Sequence, residues 1–299
     1  MTAFAARRRA NIAGWGFSAP FTAILGLFLL VPILASLLLS FTSFSIGNIQ
    51  DWSTTQFVGI DNYSKLFGDD VFTRALRNTA YFVVVGVPCT IAGGLLLAVA
   101  LNQGIGKLRG LFRVGFYLPV VTSIVAIAVV WRYMLDPDVG ILNAALAQVG
   151  ITGPDWLGDP RTTMPSIIAL GVWRNIGNSM VIFLAALQTV DPQLYEAARV
   201  DGAKGRQLFR HVTVPMLRPA ILFTTVITTI GYLQVFEEPF VMTGPSGGPD
   251  QAGFTASLFV YQQGFRFFNL GYASAAAYTL FMFIVVLAII QFRLLRTKS

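Results

Sequence analysis

Six long apolar stretches, separated by polar connections, dominate the hydropathy pattern of the chain. A hydrocarbon core about 30 Å thick is crossed by roughly 20 helical residues, because each residue rises about 1.5 Å. All six stretches reach that length, so the pattern predicts an all-α, polytopic membrane protein with about six transmembrane helices. The predicted spans are residues 17–41, 78–102, 112–135, 165–188, 217–242 and 272–295.

Proline and small residues lie inside several of these spans. Each proline frees a backbone carbonyl, which neighbouring helices have to satisfy in lipid. Small side chains allow two helix backbones to approach closely, so their positions predict helix-packing surfaces. Among them are the prolines Pro32, Pro88 and Pro119 and small residues such as Gly93, Gly94, Ala98 and the run 273–277.

Composition agrees with the hydropathy pattern. Of the 299 residues, 55% are hydrophobic and only 12% are charged, whereas roughly 25% charged residues are usual in soluble domains. The single cysteine, Cys89, excludes an internal disulfide, and its place in an apolar stretch predicts a small buried residue. The lone His211 has no cysteine or carboxylate partners nearby and indicates no metal site.

The distribution of Lys and Arg predicts the topology. Basic residues concentrate at the N-terminus, in the second and fourth connections and in the C-terminal tail, whereas the alternate connections are rich in Asp. Positive charge favours the cytoplasmic side, so both termini and the fourth connection are predicted to be cytoplasmic. The cytoplasmic basic residues are Arg7, Arg8, Arg9, Lys107, Arg109, Arg113, Arg199, Lys204, Arg206, Arg210, Arg218, Arg293, Arg296 and Lys298.

This topology gives a simple organisation. A cytoplasmic tail at 1–16 precedes a transmembrane domain at 17–295, whose connection 189–216 is cytoplasmic, and a short cytoplasmic tail follows at 296–299. The basic excess reflects membrane insertion and contact with anionic lipid, and nucleic acid is not expected as a partner.

The fourth connection has the signals of two short helices joined by a turn. Asp191-Pro192 combines an N-cap carboxylate with proline at the first helical position, so a helix should begin there and run to about Val200. Gly202 permits a backbone conformation that a Cβ atom would penalise. Helical character resumes over 204–211, before Pro215 reorients the chain into the next span.

The same connection carries a recognisable motif. Glu196-Ala197-Ala198 is followed after three residues by Gly202, and after nine more by Val212-Thr213-Val214-Pro215. This pattern resembles the EAA signature loop of permease subunits of ATP-binding-cassette (ABC) importers. The residues of the loop are similar to those of the carbohydrate branch, the maltose and glycerol-3-phosphate permease family. Val212 and Val214 replace the Ile and Leu that the family favours. The segment 242–249 resembles the family's Thr-Gly-Gly-Gly-Pro turn but has extra residues. Further similar segments are 57–63, 78–79, 118–119 and 271–275.

The resemblance implies the type I ABC importer permease fold and a non-catalytic subunit in a bacterial inner membrane. It also implies a second homologous permease, two ATPase subunits and an extracytoplasmic solute-binding protein as partners. ATP and Mg would bind to the ATPase subunits, and Gly106-Lys107 lacks the upstream glycine of a phosphate-binding loop. By this resemblance the residues that contact the ATPase are Glu196, Ala197, Ala198, Asp201, Gly202 and Pro215.

Polar residues within the fourth and fifth spans are candidates for the solute pathway. Such groups are costly in a membrane and usually face a cavity or a partner. Amides and charged groups beside the aromatic residues Trp173, Tyr232 and Phe236 suit the hydroxyls and apolar faces of a sugar. Two alternatives remain: Arg174 pairs with Glu237, or the polar groups hold two permeases together. The candidate pathway residues are Arg174, Asn175, Asn178, Gln234 and Glu237, with Glu238 beside them.

Three classes of function are compatible with these features. The motif and topology favour an importer subunit that works by alternating access. A secondary transporter or channel could instead use Arg174, Glu237 and Glu238 as an ion relay. A membrane enzyme has least support, because no metal-ligand spacing or nucleophile–base pair is present. Within the importer class, Arg132 and Arg174 balance the two glutamates, so charge does not choose between a neutral sugar, an oligosaccharide and a glycerol phosphate ester.

Overall fold

A computed structural model describes residues 3–103 and 108–295 of the chain. Gly106-Lys107 and the predicted tail at 296–299 lie outside the described residues. The chain forms two compact units. One comprises the residues up to Gly68 together with Gln263–Thr279, and the other comprises Asp69–Gln262 together with the residues from Leu280 onward.

Helices make up the regular structure of the described ranges, which contain no β-strand apart from an isolated bridge between Thr42 and Phe57. Single π-helical turns occur at Gly26–Leu30, Phe209–Thr213 and Gln262–Arg266. The α-helices are α1 (Ala3–Leu25), α2 (Val31–Leu39), α3 (Asp61–Phe67), α4 (Asp70–Gln103), α5 (Arg109–Val121), α6 (Ile124–Met134), α7 (Ile141–Gln148), α8 (Pro160–Leu187), α9 (Pro192–Val200), α10 (Gly205–Leu208), α11 (Val214–Met216), α12 (Arg218–Leu233), α13 (Glu237–Thr243), α14 (Ala256–Tyr261) and α15 (Leu270–Leu295).

Four of the predicted spans are continuous helices long and apolar enough to cross a membrane, at Gly14–Leu39, Asp70–Asn102, Pro160–Leu187 and Leu270–Leu294. The third predicted span is not straight, because α5 and α6 meet at an angle of 98°. The backbone is extended at Thr122, with ψ at 148°, and the Thr122 hydroxyl donates to the Leu118 carbonyl at 2.8 Å. The predicted span over 112–135 therefore consists of two helices that meet at a bend, and the described residues contain up to six spans if each bent helix pair counts as one.

The fifth predicted span, 217–242, is also broken. Helix α12 ends at Leu233, and α13 begins only at Glu237. Pro239 explains the break, because a proline ring inside a helix clashes with the carbonyl four residues earlier and removes its donor. That carbonyl belongs to Val235, and it accepts a hydrogen bond from the Thr255 hydroxyl at 2.9 Å. The break places Glu237 and Glu238 in the first turn of a separate helix.

The core of the second unit is the pair α4 and α8. A Cβ atom added at Gly94 would lie 2.5 Å from the Ser179 Cβ, so the glycine allows the two helices to touch. On another face of α8, a Cβ at Gly177 would lie 2.0 Å from the Phe116 carbonyl oxygen of α5. The prediction that Gly93 and Gly94 form a packing surface is confirmed. Cys89, in contrast, is exposed on α4, so its predicted burial is wrong; an apolar helix face in lipid needs no protein cover.

In the first unit, the 57–63 segment supports the end of α2. The Asn62 side-chain amide donates to the carbonyls of Ser40 and Thr42 at 2.9 and 2.8 Å. These carbonyls lie where α2 has ended, so they have no partner within the helix. The Phe44 carbonyl accepts from the Gly271 N–H at 2.8 Å.

The segment after α13 is fastened to α4 by the Asn78-Thr79 pair. The Asn78 amide donates to the carbonyls of Gln251 and Phe254 at 2.9 and 3.0 Å. The Thr79 hydroxyl accepts from the Ala256 N–H at 2.9 Å, next to the start of α14. Side-chain hydrogen bonds therefore fix a loop for which the sequence alone indicated no geometry.

Candidate functional site

A polar cavity of about 240 Å³ lies between the end of α12, the start of α13 and the middle of α8. All five residues predicted for the solute pathway line it, so the structure brings together side chains that are separated by about 60 residues of sequence. Its lining also includes Tyr232 and the small Gly231. The predicted residues are Arg174, Asn175, Asn178, Gln234 and Glu237, and Glu238 joins them.

The ion pair in this cavity differs from the one considered from the sequence. Arg174 Nη1 lies 3.7 Å from Glu238 Oε1, and no ion pair between Arg174 and Glu237 is formed in the described structure. The Glu238 side chain is 7% exposed and that of Arg174 is 26% exposed. A buried carboxylate requires a compensating cation, and Arg174 supplies it. Glu237, in the first turn of α13, also lines the cavity, and its side chain is exposed.

Tyr232 lines the cavity, and hydrogen bonds hold its side chain in place. Its hydroxyl donates to the Gly171 carbonyl at 3.0 Å and lies 2.7 Å from the Thr90 hydroxyl. The same Gly171 carbonyl accepts from the Asn175 amide at 2.9 Å. Gly86 faces the Tyr232 ring, where an added Cβ would lie 2.8 Å from a ring carbon. Thr90 and Gly171 were not predicted as site residues, because nothing in a sequence indicates which turns of two distant helices will meet.

The predicted aromatic walls are only partly correct. Tyr232 lines the cavity, but Trp173 lines a separate apolar groove of about 930 Å³ beside α4 and α5. Phe236 stacks on Phe240 with ring centroids 5.2 Å apart and also contacts Tyr261 at 5.1 Å. Phe236 therefore lies in a cluster with Phe240 and Tyr261 and is not part of the cavity lining.

Arg132 lies outside the polar cavity. It lines a different cleft of about 310 Å³ together with Asp136 and Asp155. The Asp136 carboxylate accepts the backbone N–H groups of Val139 and Asp138, each at 3.0 Å, and these bonds hold the pKa of Asp136 below its ordinary value. Arg132 therefore does not balance the charge of the cavity beside Arg174.

The second candidate site is the elbow formed by α9, the turn after it and α10. The Asp191 carboxylate accepts the Gln193 N–H at 2.9 Å, which confirms the predicted N-cap. At the other end, the Ala203 N–H donates to the Ala198 carbonyl and the Gly202 N–H to the Arg199 carbonyl, at 2.9 and 3.0 Å. This is a Schellman motif, in which the residue after the cap adopts a left-handed conformation. Gly202 has a φ of 80°, as the sequence predicted.

One side of the elbow contacts the π-helical turn 209–213, and the other side is exposed. Tyr195 Oη lies 3.1 Å from Thr213 Oγ1, which joins α9 to the π-helical turn 209–213. Pro215 follows that turn, within α11. The residues that face away are exposed, including Glu196, Ala197 and Asp201, while Ala198 is half-buried. A cleft of about 430 Å³ runs beside Glu196 and Arg199.

Apolar helices of membrane-spanning length, two of them broken, together with a polar cavity and a hydrogen-bonded elbow are the features of a membrane transport protein. The family described as the binding-protein-dependent transport system inner membrane component matches residues 90–297. The chain belongs to this family of ABC importer permeases, which are non-catalytic membrane subunits. The resemblance found in the signature loop is thereby confirmed, as are the all-α fold class and the multi-pass membrane character.

Relatives and solved structures agree with the family assignment. The chain is 39% identical to the lactose transport system permease protein LacF of Rhizobium radiobacter, over 98% of this chain and 97% of that protein. It is 32% identical to the arabinooligosaccharides transport system permease protein AraP of Bacillus subtilis, over 93% of this chain and 87% of that one. A bacterial ABC transporter involved in the import of the acidic polysaccharide alginate has the same fold, with a TM-score of 0.85 at 24% identity and full coverage of both chains. These similarities place the chain in the carbohydrate branch of the family.

Proposed function

We propose that this chain forms half of the translocation pathway of an ATP-driven sugar importer, with the cavity beside Arg174 as its solute-contacting surface. The observation that carries the proposal is the convergence of Asn175, Asn178 and Gln234 on one cavity. Their amides can both donate and accept hydrogen bonds, which matches the hydroxyls of a sugar. The named substrates of LacF and AraP, lactose and arabinooligosaccharides, support a polyhydroxylated solute.

The elbow would couple this pathway to ATP hydrolysis. A cap at Asp191, a Schellman motif at Gly202 and the Tyr195–Thr213 contact make it a braced element rather than a flexible link. Such an element can transmit a push from a partner to α12, which starts just after it and ends at the cavity. In this proposal Glu196, Ala197, Ala198, Asp201, Gly202 and Pro215 contact or shape the surface for an ATPase subunit.

The proposal requires partners. Two ATPase subunits would bind ATP and Mg, a second homologous permease would complete the pathway, and an extracytoplasmic binding protein would deliver the solute. A binding-protein partner is supported by the structure of the bacterial alginate transporter in complex with a periplasmic protein bound to an alginate pentasaccharide. The chain would lie in a bacterial inner membrane with both termini and the elbow in the cytoplasm, as the basic residues indicate.

Uptake measurements with the intact transporter test this function. Cells that lack the chain should lose ATP-dependent uptake of at least one sugar from a panel that contains lactose and arabinotriose, and the wild-type chain should restore it. Glu196→Lys should fail to restore uptake although the protein reaches the membrane, because the substitution reverses the charge offered to the ATPase. Gln193→Lys, on an exposed position of the same helix, is the matched control and should restore uptake.

Two outcomes would overturn the proposal. One is full uptake with Glu196→Lys together with no ATPase subunit copurifying with the chain. The other is solute movement by the purified chain alone under an ion gradient, without ATP or partners, which would favour a secondary transporter.

A further inference from the structure

The positive and negative charges of the side chains that line the polar cavity do not balance. Among the described residues, its lining contains one cation, Arg174, and two acids, Glu237 and Glu238. Arg132, which balanced the charge in the sequence analysis, lines a separate cleft with Asp136 and Asp155. The lining that this chain contributes therefore has an excess of one negative charge.

The two acids have different roles. Glu238 is buried and lies 3.7 Å from the guanidinium of Arg174, so the two charges compensate each other. Glu237 is exposed and forms no ion pair within the part of the chain that the structure describes. Glu237 is thus the charge that a solute in the cavity would encounter.

A fixed charge in a narrow cleft acts more strongly than one on an open surface. Low-dielectric walls concentrate the field in the cleft, so that ions of one sign are enriched and those of the other sign are depleted. Here the walls are transmembrane helices, and the neutral groups beside Glu237 are the amides of Asn175, Asn178 and Gln234. These amides can bind hydroxyls of a neutral solute, whereas the carboxylate repels phosphate, sulfonate or uronate groups.

We infer that Glu237 is a specificity-determining residue that makes this half of the pathway select neutral sugars and exclude anionic ones. The inference rests on the proposed function, because it takes the cavity to be part of the solute path. Family membership alone does not fix this property, since LacF is named for neutral lactose and the alginate transporter carries an acidic polysaccharide.

Thiol labelling measures the charge of the cavity without requiring transport. In a Cys89→Ser background, the Asn178→Cys and Gln234→Cys variants are placed in the cavity and Gln148→Cys on the exposed end of α7. The complex with its partners, in membranes, is treated with a trimethylammonium and with a sulfonate methanethiosulfonate reagent. The ratio of cationic to anionic labelling rates should be about three- to tenfold higher in the cavity than at position 148, as expected for one charge in a confined cleft.

Glu237→Gln should lower the cavity ratio to the value at position 148. Asp138→Asn, which removes an exposed acid outside the cavity, is the matched control and should leave the ratio unchanged. Equal ratios in the cavity and on α7, a ratio unaffected by Glu237→Gln, or no labelling at either cavity position would each overturn the inference. Because labelling needs no ATP, the two failures are distinguishable. A charge-selective cavity without sugar uptake would refute the proposed function, and with it the selection of sugars, while the charge of the cavity would stand. Sugar uptake without charge selectivity would refute this inference alone.

Discussion

The hydroxyl of Tyr232 donates a hydrogen bond to the backbone carbonyl of Gly171 at 3.0 Å, and this contact joins the end of α12 to the middle of α8. The Asn175 amide uses the same carbonyl at 2.9 Å. The position of a cavity amide is therefore linked to the position of the helix that leads from the elbow. Movement of α12 relative to α8 would have to disturb this bond, so the bond lies on the route by which the elbow could act on the cavity.

Tyr232→Phe tests that link. The variant leaves the hydroxyl of Thr90, which is fully buried, without its partner at 2.7 Å. The loss of such a buried hydrogen bond should cost about 1–3 kcal/mol in the free energy of unfolding, measured by thermal unfolding in detergent. Tyr81→Phe is the control, because Tyr81 is 46% exposed and should tolerate the change. Equal stability of the two variants would show that the Tyr232 hydroxyl contributes nothing.

The Arg174–Glu238 pair makes a prediction about single and double substitutions. Arg174→Gln leaves the Glu238 carboxylate buried without a cation and should destabilise the chain by about 3–5 kcal/mol. Adding Glu238→Gln removes the uncompensated charge, so the double variant should recover most of the lost stability. Unfolding of the two single variants and the double variant gives the coupling energy. Simple additivity of the two single effects would contradict the ion pair.

Gly177 should not accept a side chain. An added Cβ would lie 2.0 Å from the Phe116 carbonyl oxygen, and only a shift of α5 against α8 could relieve the clash. Gly177→Ala should therefore cost roughly 1–3 kcal/mol or prevent folding. Gly115→Ala, on α5 and facing open space, should be neutral or stabilising, since Ala favours helix more than Gly does. Thermal unfolding and the yield of folded protein compare the pair, and equal behaviour would contradict the α5–α8 contact.

Substitutions at Gly202 and Gly205 distinguish the effect of backbone conformation from the effect of a steric clash. Neither glycine has any heavy atom within 4 Å of an added Cβ, but only Gly202 has a positive φ, of 80°. Gly202→Ala should cost about 1–2 kcal/mol in the left-handed conformation, whereas Gly205→Ala should be neutral. Loss of the elbow geometry predicts reduced ATP-driven uptake by Gly202→Ala with normal amounts of protein in the membrane. Unchanged uptake in both variants would show that the turn does not transmit force.

Sequence reasoning succeeded where the cause of a structure is local. The Asp191-Pro192 start of α9 and the left-handed Gly202 depend on residues within one or two turns, and both were predicted correctly. It failed at the break before α13, although Pro239 was a visible local signal for that break. It also failed at the 98° bend between α5 and α6, because Pro119 lies inside α5, which continues to Val121, and the chain turns only at Thr122.

The sequence by itself determined that the chain has several apolar helices, basic residues concentrated in alternate connections, an elbow with the family's motif and a few polar residues within the apolar helices. These features could be predicted because length, hydropathy, capping and charge are properties of residues that are close together along the chain. Only the tertiary structure decided that Glu238 rather than Glu237 pairs with Arg174, that Arg132 lies in another cleft, and that Tyr232 reaches Gly171. These outcomes depend on how broken helices cross in space, and the angle of a crossing is set by contacts between residues that are far apart in sequence.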